Sequence, residues 1–95
     1  AADLNDCSDT VAAVKSAGGR AVSSTVNVSD AASCEAMASL AMDTFGRVDV
    51  LINNAGLGGT RLLVDMADEE WSRVIDITLT GTMRMPRAML KKMQI

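Results

Sequence analysis

Asn53 and Asn54 are adjacent amides, and Ala55 and Gly56 follow them in the stretch LINNAGLGG, residues 51–59. A chain that ends an apolar run in two amides and then sheds its side chains is doing one of two things. It turns a corner cheaply, or it lets something approach its backbone where a bulky side chain would stand in the way. Other groups able to do chemistry are sparse. Asp3 is a carboxylate, Asn27 an amide closing a β-branched run, and Thr78 a hydroxyl set among apolar residues. The chain has no His, which excludes a His-based nucleophilic triad and His metal ligation within it, and no metal site is expected. It has no Tyr either. Cys7 and Cys34 fall on different expected elements and read as free thiols of a reducing compartment.

The 95 residues suit one small domain. With 48% apolar and 22% charged residues the chain is globular, not disordered. Aromatic residues make up only 2%, so the core must be built from Val, Ile, Leu, Ala and Met. At this size such a core is marginal unless a partner covers part of it. The net charge of −3 leaves no basic stripe to follow a phosphate backbone, so nucleic acid is not an expected partner. The longest apolar runs fall far short of a membrane span, and nothing at the start reads as a signal peptide. A cytoplasmic protein without a membrane partner is expected. The chain opens on Ala1 instead of Met and closes on Ile95 with no helix stop signal, so both ends are expected to continue in a larger protein.

The elements that must position these residues alternate. AADLND reads as the tail of a strand followed by a cap cluster of Asn5, Asp6 and Ser8. A short helix over 8–17 stops at Gly18-Gly19. RAVSSTVNV, residues 20–28, reads as a strand. Ser29 and Asp30 cap a helix over 30–45, in which Cys34, Met37, Ala38, Ala41 and Phe45 share one face and Gly46 is the stop. VDVLIN, residues 48–53, is apolar on both faces apart from Asp49, the pattern of a central parallel strand covered by helices. A loop over 58–67 leads into a long helix from Asp68 to Ile95, with Asp68, Glu69 and Glu70 at its positive end. Trp71, Ile75, Thr78, Thr82, Met85, Met89 and Met93 trace its stripe, and Pro86 is expected to kink or fray it. Ala67 withholds half of a capping box from Glu70. The order of strand, helix, strand, helix, strand, helix implies right-handed crossovers and a parallel sheet, an α/β fold.

VDVLINNAG, followed by WSRVIDITLTGT, resembles the short-chain dehydrogenase/reductase family, and the resemblance runs over essentially the whole chain. It implies a Rossmann-type parallel sheet with flanking helices, binding NAD or NADP at the carboxyl ends of its strands. Residues 1–95 would be a partial dinucleotide-binding domain, truncated at both ends. It would run from the end of the second strand into the helix after the fourth. Asp3 stands where a family acid accepts hydrogen bonds from the adenosine ribose, and a carboxylate there favours NAD over NADP; Leu4 beside it is a further cofactor-binding position. Read without the family, Asp3 begins the cap cluster. Asn27 and Val28 stand at the family's Asp-Val, beside the adenine; read without the family, they are a strand end at a turn. Asn53, Ala55 and Gly56 match N-N-A-G, whose backbone lies against the cofactor ribose, while Gly58 and Gly59 read as plain loop.

Thr78 stands where the catalytic tetrad of Asn, Ser, Tyr and Lys has its Asn. Its hydroxyl is expected to bond back to the Val74 carbonyl instead, leaving the relay altered or unused. The glycine-rich phosphate turn and the Ser, Tyr and Lys of the tetrad are absent. The chain is thus expected to be an inactive fragment of an NAD(P)-dependent oxidoreductase that interconverts an alcohol and a ketone, homo-oligomeric through the long helix. The alternative is a non-catalytic stand-alone α/β module that dimerises or swaps elements through a methionine face of Met83, Met85, Met89 and Met93. A flavodoxin-like domain is a third reading, against which N-N-A-G argues.

Overall fold

The computed structural model describes residues 1–93. Two short parallel strands, β1 (Ala2–Asp3) and β2 (Ser24–Thr25), pair in the register Ala2 to Ser24 and Asp3 to Thr25. Between them runs α1 (Ser8–Ser16), the crossover that a parallel pair requires. Asp6 serves its start: the carboxylate accepts hydrogen bonds from the Ser8 N–H and the Ser8 hydroxyl. Gly18, at φ 87°, turns the chain out of the helix in a conformation that costs glycine little. The strand expected over 20–28 is regular only at Ser24–Thr25, with bonds to the first chain segment running from the Val22 carbonyl to the Val26 N–H.

Asp30 caps α2 (Ala31–Phe45) by accepting from the Ala32 N–H, and Gly46 at φ 77° ends it with its N–H on the Met42 carbonyl. The segment 48–53 departs from expectation. It forms no strand, and no backbone hydrogen bond ties it to β1 or β2. β1 and β2 pair through one edge each, and among the described residues neither free edge is hydrogen-bonded to this segment. Val50 and Ile52 are 75% and 81% exposed, where two covered faces were expected. A largely apolar cavity of about 700 Å³ opens beside it, between Val22 and Ser24 on one side and Val48 to Ile52 on the other.

The expected single helix from Asp68 is divided. An α-helix, α3 (Asp68–Ile75), runs into a π-helical turn at Asp76–Thr80 and then into α4 (Gly81–Leu90). In the π turn the Gly81 N–H reaches the Asp76 carbonyl, five residues back, so the register slips by one residue. Pro86 does not end the helix, which continues to Leu90; the irregularity lies upstream of it. The part expected over Gln94 and Ile95 lies outside the described residues. Ala67 at the start of α3 makes no side-chain cap, and Glu70 pairs with Arg61 at 3.3 Å instead.

The core lies where α4 crosses α2. Val26, Cys34, Ala38, Met85, Ala88 and Met89 are buried together, with Met37, Val48, Leu51 and Met93 packed around them. Burial pushes the Cys34 thiol above its ordinary range, so it sits as a small hydrophobe. The expected methionine surface is therefore divided: Met89 is 1% exposed and Met85 is buried with it, and of the four only Met83 stands in solvent. Met85 and Met89 repeat with helical spacing on the side that α2 covers, so they serve this chain's own core.

Gly81 is where the helix comes closest to the strand layer. A Cβ on it would lie 2.7 Å from Val28 Cγ2 and 3.0 Å from Val28 Cβ. Gly81→Ala gains about 1 kcal/mol of helix propensity against about 1–3 kcal/mol for overpacking. The expected result is a lower urea midpoint, restored in part by adding Val28→Ala. An unchanged or higher midpoint in Gly81→Ala alone would contradict this packing.

Candidate functional site

The parallel register sends β1 and β2 off the sheet on the same side. Asp3 and Leu4 leave β1 beside Val26, Asn27 and Val28 leaving β2, and Ala55 and Gly56 form a further wall. Ile77 and Met85 complete a cavity of about 180 Å³. Six of the seven residues singled out for a cofactor meet in this groove: Asp3, Leu4, Asn27, Val28, Ala55 and Gly56. Asn53 does not. It lines a smaller recess of about 40 Å³ with Asn54, Ala55, Val28, Gly81, Thr82 and Met85. The groove is far smaller than the apolar cavity beside 48–52, yet it holds the converging carboxylate, amide and small residues.

Its polar groups are held by short-range bonds. Asp3 Oδ1 accepts from the Asn5 N–H at 3.0 Å. Asn27 Oδ1 accepts from the Ser29 N–H at 2.9 Å, and the Asn27 N–H donates to Ser33 Oγ at 2.9 Å, in the first turn of α2. The Asn27 side-chain carbonyl is thus already partly engaged, and its amide N–H₂ carries the unused donors. Among the described residues no three His, Cys, Asp or Glu side chains cluster to hold a metal ion.

Thr78 sits in the middle of the π turn, outside the groove but next to its wall. It does not bond back to Val74. Its Oγ1 accepts from the Leu57 N–H at 3.0 Å and donates to the Leu57 carbonyl at 3.2 Å. One hydroxyl, being both donor and acceptor, therefore closes both backbone groups of the residue that follows N-N-A-G. The i−4 back-bond is made one turn on, where Thr82 Oγ1 donates to the Thr78 carbonyl at 2.6 Å. A threonine of a regular helix face would spend its hydroxyl along the helix; here the π turn directs it across to the loop.

On the other side of the same turn stands a group the sequence reading missed. The Arg84 guanidinium donates to the Asp76 carboxylate at 2.6 Å, to the Asp76 carbonyl at 3.3 Å and to the Val28 carbonyl at 3.0 Å. Its side chain is only 18% exposed. The Arg84 hydrogen bond holds the Asp76 carboxyl below its ordinary value against partial desolvation, and Ser29 assists. Sequence spacing offers no signal for this pair, since helical ion pairs are expected three or four residues apart.

The matched family model, short chain dehydrogenase, covers residues 1–94. The chain belongs to the short-chain dehydrogenase family. Among its relatives, the short-chain reductase protein NovJ of Streptomyces niveus is 47% identical over 79 residues, 83% of this chain and 30% of NovJ. A short chain dehydrogenase from Mycobacterium smegmatis superposes with a TM-score of 0.90 at 38% identity, over 96% of this chain and 39% of that one. The actinorhodin polyketide ketoreductase, solved with NADPH, superposes with a TM-score of 0.89 at 31% identity, over 96% and 36%. The fold is thus the family's Rossmann-type α/β fold, seen in part, and the chain spans about a third of the length of the relatives it matches. No helix among the described residues is long and apolar enough to cross a membrane.

Thr78→Val keeps the shape of the side chain and removes both bonds to Leu57. A loss of about 1–2 kcal/mol is expected in urea unfolding, with Thr78→Ser close to wild type. Equal stability of the Val and Ser variants would show that the hydroxyl does not hold the loop.

Proposed function

We propose that this chain is the adenosine-binding part of an NAD-dependent oxidoreductase that interconverts an alcohol and a ketone. The observation that carries the reading is the convergence of Asp3, Leu4, Asn27, Val28, Ala55 and Gly56 on one groove at the ends of two parallel strands. Those residues fit the ligand. A carboxylate offers acceptors for the paired hydroxyls of a ribose, apolar walls suit a purine face, and small residues leave room for the sugar. Asp3 also disfavours a 2′-phosphate by like charge, which supports NAD over NADP.

When bound, the nicotinamide ring supplies the hydride acceptor or donor. The part this chain plays is to bind and orient. Asp3 holds the ribose, Asn27 and Val28 border the base, and Ala55 with Gly56 lets backbone approach the sugar. Thr78, in the tetrad's Asn position, is committed to Leu57 and acts on the N-N-A-G loop instead of on a proton. With no Tyr in the sequence, the proton donor must come from elsewhere in a larger protein, and the chain alone is expected to be inactive. Trp71, Leu79, Met83 and Leu90 stand exposed along α3, the π turn and α4, a face suited to a second subunit.

NMR titration reads binding into the millimolar range. NAD is expected to bind about tenfold more tightly than NADP, a difference of about 1.4 kcal/mol. Asp3→Asn should shrink that ratio by weakening NAD and relieving NADP. Equal affinities in the wild type, or a ratio untouched by Asp3→Asn, would contradict the assignment.

A further inference from the structure

We infer that Arg84 is a positioning residue that locks the two opposite walls of the groove to one another through the π turn. The inference deepens the dinucleotide reading and rests on it for the identity of the ligand. Its geometric basis stands apart from that ligand.

Three observations meet at Arg84. Its guanidinium reaches the Val28 carbonyl, which belongs to the wall leaving β2. It also grips both the carboxylate and the carbonyl of Asp76, the first residue of the π turn. Two residues on, Thr78 closes both backbone groups of Leu57, next to the Ala55–Gly56 wall. Arg84 touches one wall and fixes the start of the turn whose middle holds the other. The contact between Gly81 and Val28 leaves no slack between the helix and the first wall. A fork of donors is needed to span a carbonyl and a carboxylate at once. Lysine carries its three donors on one nitrogen, so it cannot match the separate positions from which Nη1 reaches the Val28 carbonyl and Nη2 the Asp76 carboxylate.

Amide hydrogen exchange on the chain separates this link from a general effect on stability. Ser29 reports the near wall and Leu57 the far one, which Arg84 does not contact; Gly46, bonded to the Met42 carbonyl, is the control. In Arg84→Met, exchange at Ser29 and at Leu57 is expected to rise about tenfold while Gly46 is unchanged. Arg84→Lys should show a smaller rise at Leu57. Acceleration at Ser29 alone, at neither site, or equally at all three would overturn the inference. Should Arg84→Met fail to fold, the same comparison in Arg84→Lys decides.

Titration with NAD separates the two readings. Wild-type chain that binds no NAD removes the dinucleotide assignment, whereas the exchange pattern still judges the link. Wild type that binds, with Arg84→Met weaker by about tenfold, supports both. Unchanged NAD affinity in an Arg84→Met chain whose Leu57 amide is accelerated would overturn the positioning role.

Discussion

A slip of one residue in a helix holds the groove together. At Asp76–Thr80 the backbone takes π-helical bonding, and side chains within and after the slip bind loop backbone beside the helix. Thr78 goes to Leu57 and Arg84 reaches back to Asp76 and Val28. Both groups serve loop backbone that no sheet partner satisfies. Loop carbonyls and N–H groups beside a packed helix must find partners, and here the helix provides them. Single-turn π segments recur at functional sites because they re-aim side chains in this way.

The hydrophobic core supports that arrangement from beneath. α4 lies on α2 through Cys34, Ala38, Met85, Ala88 and Met89, and the small residues Ala38 and Ala88 let the two helices approach. Met85 belongs both to this core and to the floor of the groove, so burial and site share a side chain. The rest of the molecule is thinly covered. In the segment 48–53, Val50 and Ile52 stand in solvent, and a large apolar cavity opens beside it. That is consistent with a chain spanning about a third of the length of its relatives.

Much of this was legible in the residues. Periodicity placed α1 and α2 almost to the residue, and Gly18 and Gly46 marked their ends because both adopt positive φ. N-N-A-G together with the later V-I-D and L-T-G carried the family, which the matched model bears out. Other features depended on distant partners and left no local trace. Hydrophobic pattern makes 48–53 a strand, but a strand needs a hydrogen-bonded neighbour, and among the described residues it has none. The methionine stripe is real, yet which helix covers it is decided by the crossing of α2 and α4. The π turn has no pattern of its own, so Thr78 was assigned a back-bond that the slipped register redirects to Leu57. The tie from Arg84 to Asp76 spans eight positions, outside any helical pair rule.

The central claim is that the small groove, and not the larger apolar cavity, takes the adenosine half of NAD. Chemical-shift mapping of NAD on isotope-labelled chain tests it most directly. The account predicts perturbed amides at Leu4, Asn27, Val28, Ala55 and Gly56, with Val22, Val48 and Leu51 unmoved. Perturbations centred on Val22 and Val48 to Ile52, or none at saturating NAD, would contradict it.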